Sequence, residues 1–160
     1  MRFQWKAYGE QNRDIAEAWM DAEAKRQTGC DDGWFDYVDY MMHEDYIRTE
    51  SNFFCRVVCD GDVPFAAAAL FVSDDGILFV SEFLVSPAYR GRGFGTAVLK
   101  ELLGCSAEII GVRISEARAV IFPGNPASKR AFEKAGFRYE STHPDGDAEY
   151  YVYREAEVPL

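Results

Sequence analysis

The sequence predicts an α/β domain with a mixed central sheet of about seven strands and helices on both faces. Apolar runs and amphipathic runs alternate in the order βααβββαβαββ. The central strands are apolar almost throughout, which is typical of a sheet covered on both sides. A helical crossover separates the strand at residues 77–85 from the strand at residues 117–122, which favours a parallel pairing. The length of 160 residues and the 48% apolar content suit one domain over residues 1–160.

The first third of the chain predicts one strand and two helices. Residues 3–8 alternate loosely as a strand. Asp14 is the expected N-cap of a first helix, with Glu17 in a capping-box position and Gly29 as its end. Residues 34–48 predict a second helix that mixes aromatic side chains with carboxylates. Either one face packs on the sheet and the acids meet solvent, or both groups line a pocket for an amine cation.

Two successive hairpins follow. Residues 53–59 alternate as a strand and turn at residues 60–62, which contain Gly61. Residues 63–72 form the next strand, and the turn at residues 73–76 leads into residues 77–85. These segments predict three consecutive antiparallel strands.

The second half continues with a helix, a strand, a helix and two strands. An apolar helical stripe begins at Phe94 and ends at Gly111, or already at Gly104 because glycine weakens a helix. Residues 117–122 form the crossover strand. Asn125 followed by Pro126 predicts a helix start. The helix closes at Gly136. If Gly136 is the left-handed residue after the helix, Phe132 and Phe137 take the paired positions of a Schellman cap, which predicts a packing role for Phe132. The last strands lie at residues 138–141 and 149–154.

Residues 85–96, Val-Ser-Pro-Ala-Tyr-Arg-Gly-Arg-Gly-Phe-Gly-Thr, are the most informative stretch. Pro87 has no amide proton, so the strand must stop there. Gly91, Gly93 and Gly95 then open a helix. Glycine lets backbone N–H groups approach a ligand, and a helix N-terminus carries roughly +0.5 charge. Together with the alternating arginines, this predicts a pyrophosphate loop; the alternative is a surface turn that only caps the helix.

The spacing of this loop distinguishes between phosphate-binding motifs. The lysine of a Walker loop is missing, and Thr96 stands where the dinucleotide fingerprint needs its third glycine. The spacing that does match is R-x-x-G-x-G at Arg90, Gly93 and Gly95. It resembles the coenzyme A loop of the GNAT superfamily of N-acetyltransferases. Residues 125–137 resemble a second stretch of that superfamily, N-x-x-[SA]-x-x-x-[YF]-E-K-x-G-F, and the element order matches along almost the whole chain.

The resemblance implies acetyl-CoA as co-substrate, lying where the strands ending at Val85 and Phe122 splay apart. Backbone groups of Leu84 and Val85 would bind the pantetheine arm, and Asn125 and Ser128 would face that arm or the thiol end. The amides of the glycine loop would bind the pyrophosphate. The loop residues concerned are Arg90, Gly91, Arg92, Gly93, Gly95 and Thr96.

The general base and the proton donor belong to neither of the two motifs. Glu82 is the one charged residue of its apolar strand, and desolvation raises the pKa of such a carboxyl toward that of a general base. Glu82 is the favoured base, and Ser81 and the acids of the second helix are the next candidates. The alternative is that Glu82 is an edge-facing or salt-bridged glutamate with no catalytic role. Many relatives have a tyrosine at the position of Phe132 as general acid. Ser128, Tyr150, Tyr151 or water would have to protonate the thiolate here.

Composition limits the partners. The net charge of −10 disfavours nucleic acid and anionic membranes, and it serves either a cationic substrate or solubility alone. The four cysteines are not closely spaced, and two histidines give little support for a metal site. The absence of a signal peptide or membrane span predicts a cytosolic protein, and a homodimer is left open.

These observations favour an N-acetyltransferase that transfers an acetyl group to a small cationic or peptide amine by direct attack in a ternary complex. Two other classes remain. A non-catalytic acyl-CoA-binding or regulatory domain is favoured by Phe132, and a nucleotide-phosphate module is disfavoured because both phosphate fingerprints are missing.

Overall fold

The computed structural model describes residues 1–28 and 52–156. Within these residues the chain forms a seven-stranded mixed sheet with the spatial order β1-β2-β3-β4-β5-β7-β6. The strands are β1 (Gln4–Ala7), β2 (Phe53–Asp60), β3 (Val63–Val72), β4 (Leu78–Val85), β5 (Glu116–Ile121), β6 (Arg138–Thr142) and β7 (Glu149–Arg154). The helices of this part of the chain are α1 (Glu10–Glu17), α2 (Ala22–Thr28), α3 (Phe94–Gly104), α4 (Ser106–Ile110) and α5 (Pro126–Lys134), with a 3₁₀ turn at Pro87–Tyr89.

The predicted fold class is confirmed, and the hairpins form where the sequence placed them. β1 to β4 pair antiparallel in sequence order, and β4 pairs with β5 in parallel. The two glycine turns work as predicted, because Gly61 and Gly76 have φ of 61° and 79°. Such values suit glycine, which has no Cβ to clash.

The sheet is covered on both faces, as its apolar strands predict. Ala67 and Ala69 of β3 pack with side chains of α1 and α2, whereas Ala68 and Leu70 pack with side chains of α3, α4 and α5. Alternate residues of one strand therefore serve opposite faces. All four are at most 1% exposed. Within the described ranges, no helix has the length and apolar character of a membrane span.

The first predicted helix is wrong in its start and its continuity. α1 begins at Glu10 after Gly9, so Asp14 lies inside the helix rather than at its N-cap. The chain then breaks, and α2 starts anew where Asp21 Oδ1 accepts a hydrogen bond from the Ala24 N–H at 2.9 Å. This contact is a side-chain cap of α2. The second predicted helix, residues 34–48, lies outside the described residues.

The helix after the glycine loop is also divided. α3 ends at Gly104 and the short α4 follows, so the earlier of the two predicted stops is the end of α3. Gly111 ends α4 with φ of 78°. Both helices contribute to the core through an apolar stripe that includes Leu102 and Ile109.

The last helix ends with a Schellman motif. The N–H of Gly136 donates to the Glu133 carbonyl and that of Phe137 to the Phe132 carbonyl, both at 3.0 Å. The rings of Phe132 and Phe137 lie 4.9 Å apart, which is the apolar contact expected of this cap. The predicted packing role of Phe132 is confirmed.

Candidate active site

The cleft of the protein begins where β4 and β5 separate. Their parallel pairing joins Leu78 to Ala117 and Val80 to Ala119, and goes no further. Just beyond, Ser81 is a bulge, because Val80 pairs with Leu70 while Glu82 pairs with Ala69 on β3. A bulge bends its strand and increases its twist. β4 therefore turns away from β5 at the residues where the splay was expected.

A large cavity lies on one side of this gap. Its volume is about 590 Å³. The last residues of β4 form its floor, the glycine loop and the start of α3 one end, and α5 and α2 its walls. The lining residues include Leu84, Val85, Arg90, Gly91, Gly93, Gly95, Thr96, Asn125, Ser128, Arg130 and Lys134. All predicted cofactor-binding residues except Arg92 thus lie on one cavity.

A smaller cavity of about 260 Å³ lies at the other end of the gap. It is lined by Ser81 and Glu82 from β4, the end of β5 and the buried Phe132. Both cavities share Gln27, Phe83, Asn125 and Ser128 as lining residues. The two cavities therefore adjoin and together form the cleft. Of the predicted catalytic residues, Glu82 lines the smaller cavity and Ser128 lines both.

The glycine loop presents backbone donors to the larger cavity. Gly91 and Gly93 have φ of 70° and 80°, in the left-handed region that favours glycine. Ala97 is the first residue of α3 whose N–H bonds back along the helix, to the Gly93 carbonyl at 3.1 Å. The N–H groups just before it have no acceptor within the helix, so they are available to an anion.

Gly95 marks a close approach between the loop and its neighbours. A Cβ on this residue would lie 3.6 Å from a ring carbon of Phe83 and 3.8 Å from Val85 Cγ2 and Ala131 Cβ. These are ordinary van der Waals contacts, so a methyl group would fit. Anything larger would compete with a ligand for the cavity wall.

The side chain of Arg90 is used inside the protein. Its Nε donates to the Val85 carbonyl at 2.9 Å, and one terminal nitrogen donates to the Trp19 carbonyl at 2.9 Å. The other terminal nitrogen lies 2.9 and 3.1 Å from the two carboxylate oxygens of Asp21. Arg90 thus ties the α1–α2 junction to the end of β4. Most of its guanidinium donors are therefore used within the protein rather than pointing at the cavity.

Arg92 is held in a similar way, but on the surface. Its guanidinium donates to the Ala88 carbonyl at 3.1 Å and lies over the rings of Tyr89 and Phe94 at 5.4 and 5.2 Å. Cation–π contacts of this kind fix a side chain against the loop that carries it. Arg92 does not line the larger cavity. In the part of the chain that the structure describes, the basic residues that do are Arg90 and, on α5, Arg130 and Lys134.

Glu82 has the electrostatic character that its apolar strand predicts. The side chain is partly buried, and desolvation raises its pKa from 4.5 to about 7. A carboxyl with such a pKa exchanges protons near neutral pH, which suits a general base. Ser81, the second choice as base, is exposed at the same cavity.

Asn125 and Ser128 are positioned by the start of α5. The Asn125 side-chain oxygen accepts the Ser128 N–H at 3.1 Å, so the predicted N-cap is confirmed. Pro126 follows as the first helical residue. This cap fixes Ser128 at the narrow part of the cleft, where the two cavities meet.

The alternative proton donors named from the sequence do not reach the cleft. Tyr151 is buried and its hydroxyl donates to Glu149 Oε2 at 3.3 Å, which with desolvation raises its pKa. Neither Tyr150 nor Tyr151 lines the two cavities, whereas Ser128 lines both. Of these three hydroxyl groups, that of Ser128 is the one whose residue lines the cleft.

Two residues of α2 line the cleft although the sequence did not predict them there. Glu23 lines the larger cavity, and Gln27 lines both cavities. The Gln27 side-chain amide donates to Glu23 Oε1 at 3.1 Å. The sequence offered no signal for them, because the predicted first helix ran through the break that sets the orientation of α2.

A separate group of side chains has metal-ligand character. The ligand atoms of His143, Asp145 and Asp147 lie within 4.8 Å of one another in the β6–β7 turn. The Asp145 N–H lies 3.3 Å from His143 Nδ1 and donates to it, so the lone pair of that nitrogen already closes the turn. This group lies outside the cleft and plays no part in the chemistry considered below.

Comparison with known proteins agrees with this geometry. A model of the acetyltransferase (GNAT) family matches residues 13–137. The fold and the site thus define an acyltransferase. The chain belongs to the acetyltransferase (GNAT) family, as the two sequence motifs predicted. No curated protein matches the chain in sequence.

Several solved structures share the fold at low identity. AAC(6')-Ib in complex with paromomycin and acetyl-CoA is 18% identical, with a TM-score of 0.74 over 96% of this chain and 94% of that one. The same protein, described as an aminoglycoside acetyltransferase with coenzyme A and kanamycin, gives 17% identity and a TM-score of 0.72 over 95% and 94%. Spermidine N-acetyltransferase from Vibrio cholerae with CoA and spermine is 14% identical, with a TM-score of 0.71 over 96% of both chains.

Proposed function

We propose that this protein is an acetyl-CoA-dependent N-acetyltransferase that acts on a small-molecule primary amine by direct attack in a ternary complex. The observation that carries the proposal is that two cavities adjoin beside the gap between β4 and β5. One is lined by the glycine loop and the other by Glu82, and four residues line both. A cofactor and an acceptor entering from opposite ends would meet at that gap.

The larger cavity suits acetyl-CoA. The N–H groups at the start of α3 would bind the diphosphate, since a helix N-terminus favours anions. The edge of β4 at Leu84 and Val85 pairs with no strand on the β5 side in the described residues. The Val85 carbonyl already accepts the Arg90 Nε–H, so the remaining backbone groups of this edge would bond the pantetheine amides. The thioester would then lie at Ser128 and Asn125.

Glu82 is proposed as the base that removes a proton from the attacking amine. An alkylammonium has a pKa of about 10.4 and cannot attack until it loses a proton. The amine nitrogen then forms a bond to the acetyl carbonyl carbon, and a backbone N–H near the end of β4 stabilises the oxygen as it gains charge. The carbon–sulfur bond breaks as the nitrogen loses its second proton, and the thiolate takes up a proton. The Ser128 hydroxyl relays this proton, receiving the one from nitrogen as it gives its own to sulfur, or water carries it.

Phe132 does not exclude this chemistry. A thiol has a pKa of about 8.5, so its anion leaves without strong acid assistance. The deprotonation of the amine is the more demanding proton transfer. The base therefore matters more than the acid in this site.

The class of acceptor is proposed on two grounds. The solved relatives hold spermine or an aminoglycoside, which are small molecules with amino groups. The chain itself carries a net charge of −10, which attracts cations over long range. A peptide amine is the second candidate. We place the protein in the cytosol from its composition, and propose it as one domain that works alone or as a homodimer.

The test is thiol release from acetyl-CoA with a panel of amines, supported by calorimetry with CoA. The proposed enzyme should bind CoA and release thiol with at least one cationic amine above the hydrolysis background. Binding of CoA with no turnover for any amine would leave the alternative, an acyl-CoA-binding or regulatory domain. The absence of CoA binding would overturn both.

A further inference from the structure

Arg130 and Lys134 form a basic pair on one side of the cleft. They lie four residues apart on α5, and residues at this spacing share a helix face. Both line the larger cavity and both are exposed to it. The cavity wall thus carries two mobile cations on one side.

These two cations have no ion-pair partner among the described residues. The adjacent Lys129 shows the contrast, since its ammonium lies 2.8 Å from Glu149 Oε2 on the other side of the helix. In a chain with 27 acidic and 17 basic residues, two cations without a carboxylate partner at a cavity are unusual. They are free to meet an anion that enters the cavity.

The residues of α2 that line the cavity include no cation. Glu23 of α2 lines the same cavity, and it lies 4.0 Å from an Arg26 nitrogen and accepts the Gln27 amide at 3.1 Å. A phosphate in this cavity would find unpaired cations on α5 and none on α2. The charge distribution therefore selects the α5 side for an anionic group of the ligand.

The position along α5 shows which group this is. Ser128 marks the thiol end of the cleft, and Lys134 lies about 9 Å further along the helix axis. Between them Ala131 faces Gly95 of the glycine loop, which is the end for the diphosphate. The cofactor has one further anionic group, the 3′-phosphate of its ribose. This monoester carries close to two negative charges at pH 7, and arginine and lysine suit it better than neutral amides do.

We propose that Arg130 and Lys134 bind the 3′-phosphate of coenzyme A, with Arg130 as the bidentate donor and Lys134 as the point charge. This assignment rests on the proposed function, because it concerns the same cofactor cavity. Its consequence is selectivity: the protein distinguishes CoA from 3′-dephospho-CoA by these two side chains, while the glycine loop binds the diphosphate of both.

The experiment measures the affinities of CoA and 3′-dephospho-CoA by calorimetry at low salt. The unaltered protein should bind CoA at least tenfold more tightly. The Arg130→Gln, Lys134→Gln double variant should bind both molecules with equal affinity, at the level that the unaltered protein shows for 3′-dephospho-CoA. Lys129→Gln on the same helix is the matched control and should keep the discrimination.

Each other outcome overturns the assignment. Equal affinities in the unaltered protein would show that the 3′-phosphate has no site, and the proposed function would stand. Equal weakening of both ligands in the double variant would assign the pair to the diphosphate instead. No binding of either molecule by the unaltered protein would remove the proposed function together with this inference. Thermal unfolding of each variant would confirm that it folds.

Discussion

Replacing Glu82 by glutamine should change activity and stability in opposite directions. Burial raises the pKa of Glu82 from 4.5 to about 7. At about 1.36 kcal/mol per pKa unit, this difference corresponds to at most about 3 kcal/mol of free energy. The ionised carboxylate of Glu82 thus lowers the stability of the folded protein, which is consistent with a chemical rather than a structural role for this residue.

The sign of the pH dependence follows from proton binding. Below pH 4.5 the carboxyl is protonated in both the folded and unfolded states, so its folding contribution is fully present. Between pH 4.5 and about 7 the unfolded chain releases the proton and the folded protein keeps it, so the free energy of unfolding falls as pH rises. Glutamine does not ionise. Glu82→Gln should therefore unfold like the unaltered protein at pH 4 and be more stable at pH 8, by up to about 3 kcal/mol.

Activity should show the reverse. A general base works only when deprotonated, so kcat/KM of the unaltered enzyme should rise with pH through about 7. Glu82→Gln should lower turnover by about 100-fold or more while leaving CoA binding intact. Urea unfolding at pH 4 and pH 8, together with thiol release across the same range, measures both effects.

The control is Glu108→Gln, at an exposed glutamate of α4 that does not line the cleft. It should leave stability and turnover unchanged at both pH values. A Glu82→Gln variant with unchanged turnover at every pH would reject Glu82 as the base. One with no gain in stability at pH 8 would contradict the desolvation that raises its pKa.

Five further substitutions test the residues that support the site. Gly93→Val places a β-branched residue at φ of 80° and should lower the free energy of unfolding by about 2 kcal/mol. It should also abolish the rise in thermal stability that CoA causes. Gly104→Ala is the control, because a Cβ there meets no other atom, and it should keep that rise. Arg90→Gln removes the donors to Val85 and Trp19 and should destabilise by about 1–3 kcal/mol in urea. Asp21→Asn should lower the free energy of unfolding by less than Arg90→Gln does, because asparagine can also cap α2. An equal loss in the two variants would show that the Arg90–Asp21 ion pair supplies the stabilisation. Phe132→Ala should cost about 3–5 kcal/mol by the same assay, and a loss below 1 would contradict its place in the core.

The sequence determined those features whose causes lie within a few residues of one another. The turns at Gly61 and Gly76 need only their own backbone freedom, and Asn125 caps a helix that starts at the next residue. The glycine loop and the closing Schellman motif are equally local, so their residues could be named before any contact was known. The continuous apolar character of the central strands likewise predicted a sheet covered on both faces.

The tertiary structure decided the features that depend on groups distant in the chain. Arg90 meets Asp21 across 69 residues, so the inward direction of its side chain is invisible to a motif that predicts phosphate binding. The start of α2 at that same aspartate turns Glu23 and Gln27 toward the cleft. The pKa of Glu82 reflects how much water neighbouring elements exclude. Local patterns fix backbone geometry, whereas charge, burial and the partner of each side chain are set by what else folds against it.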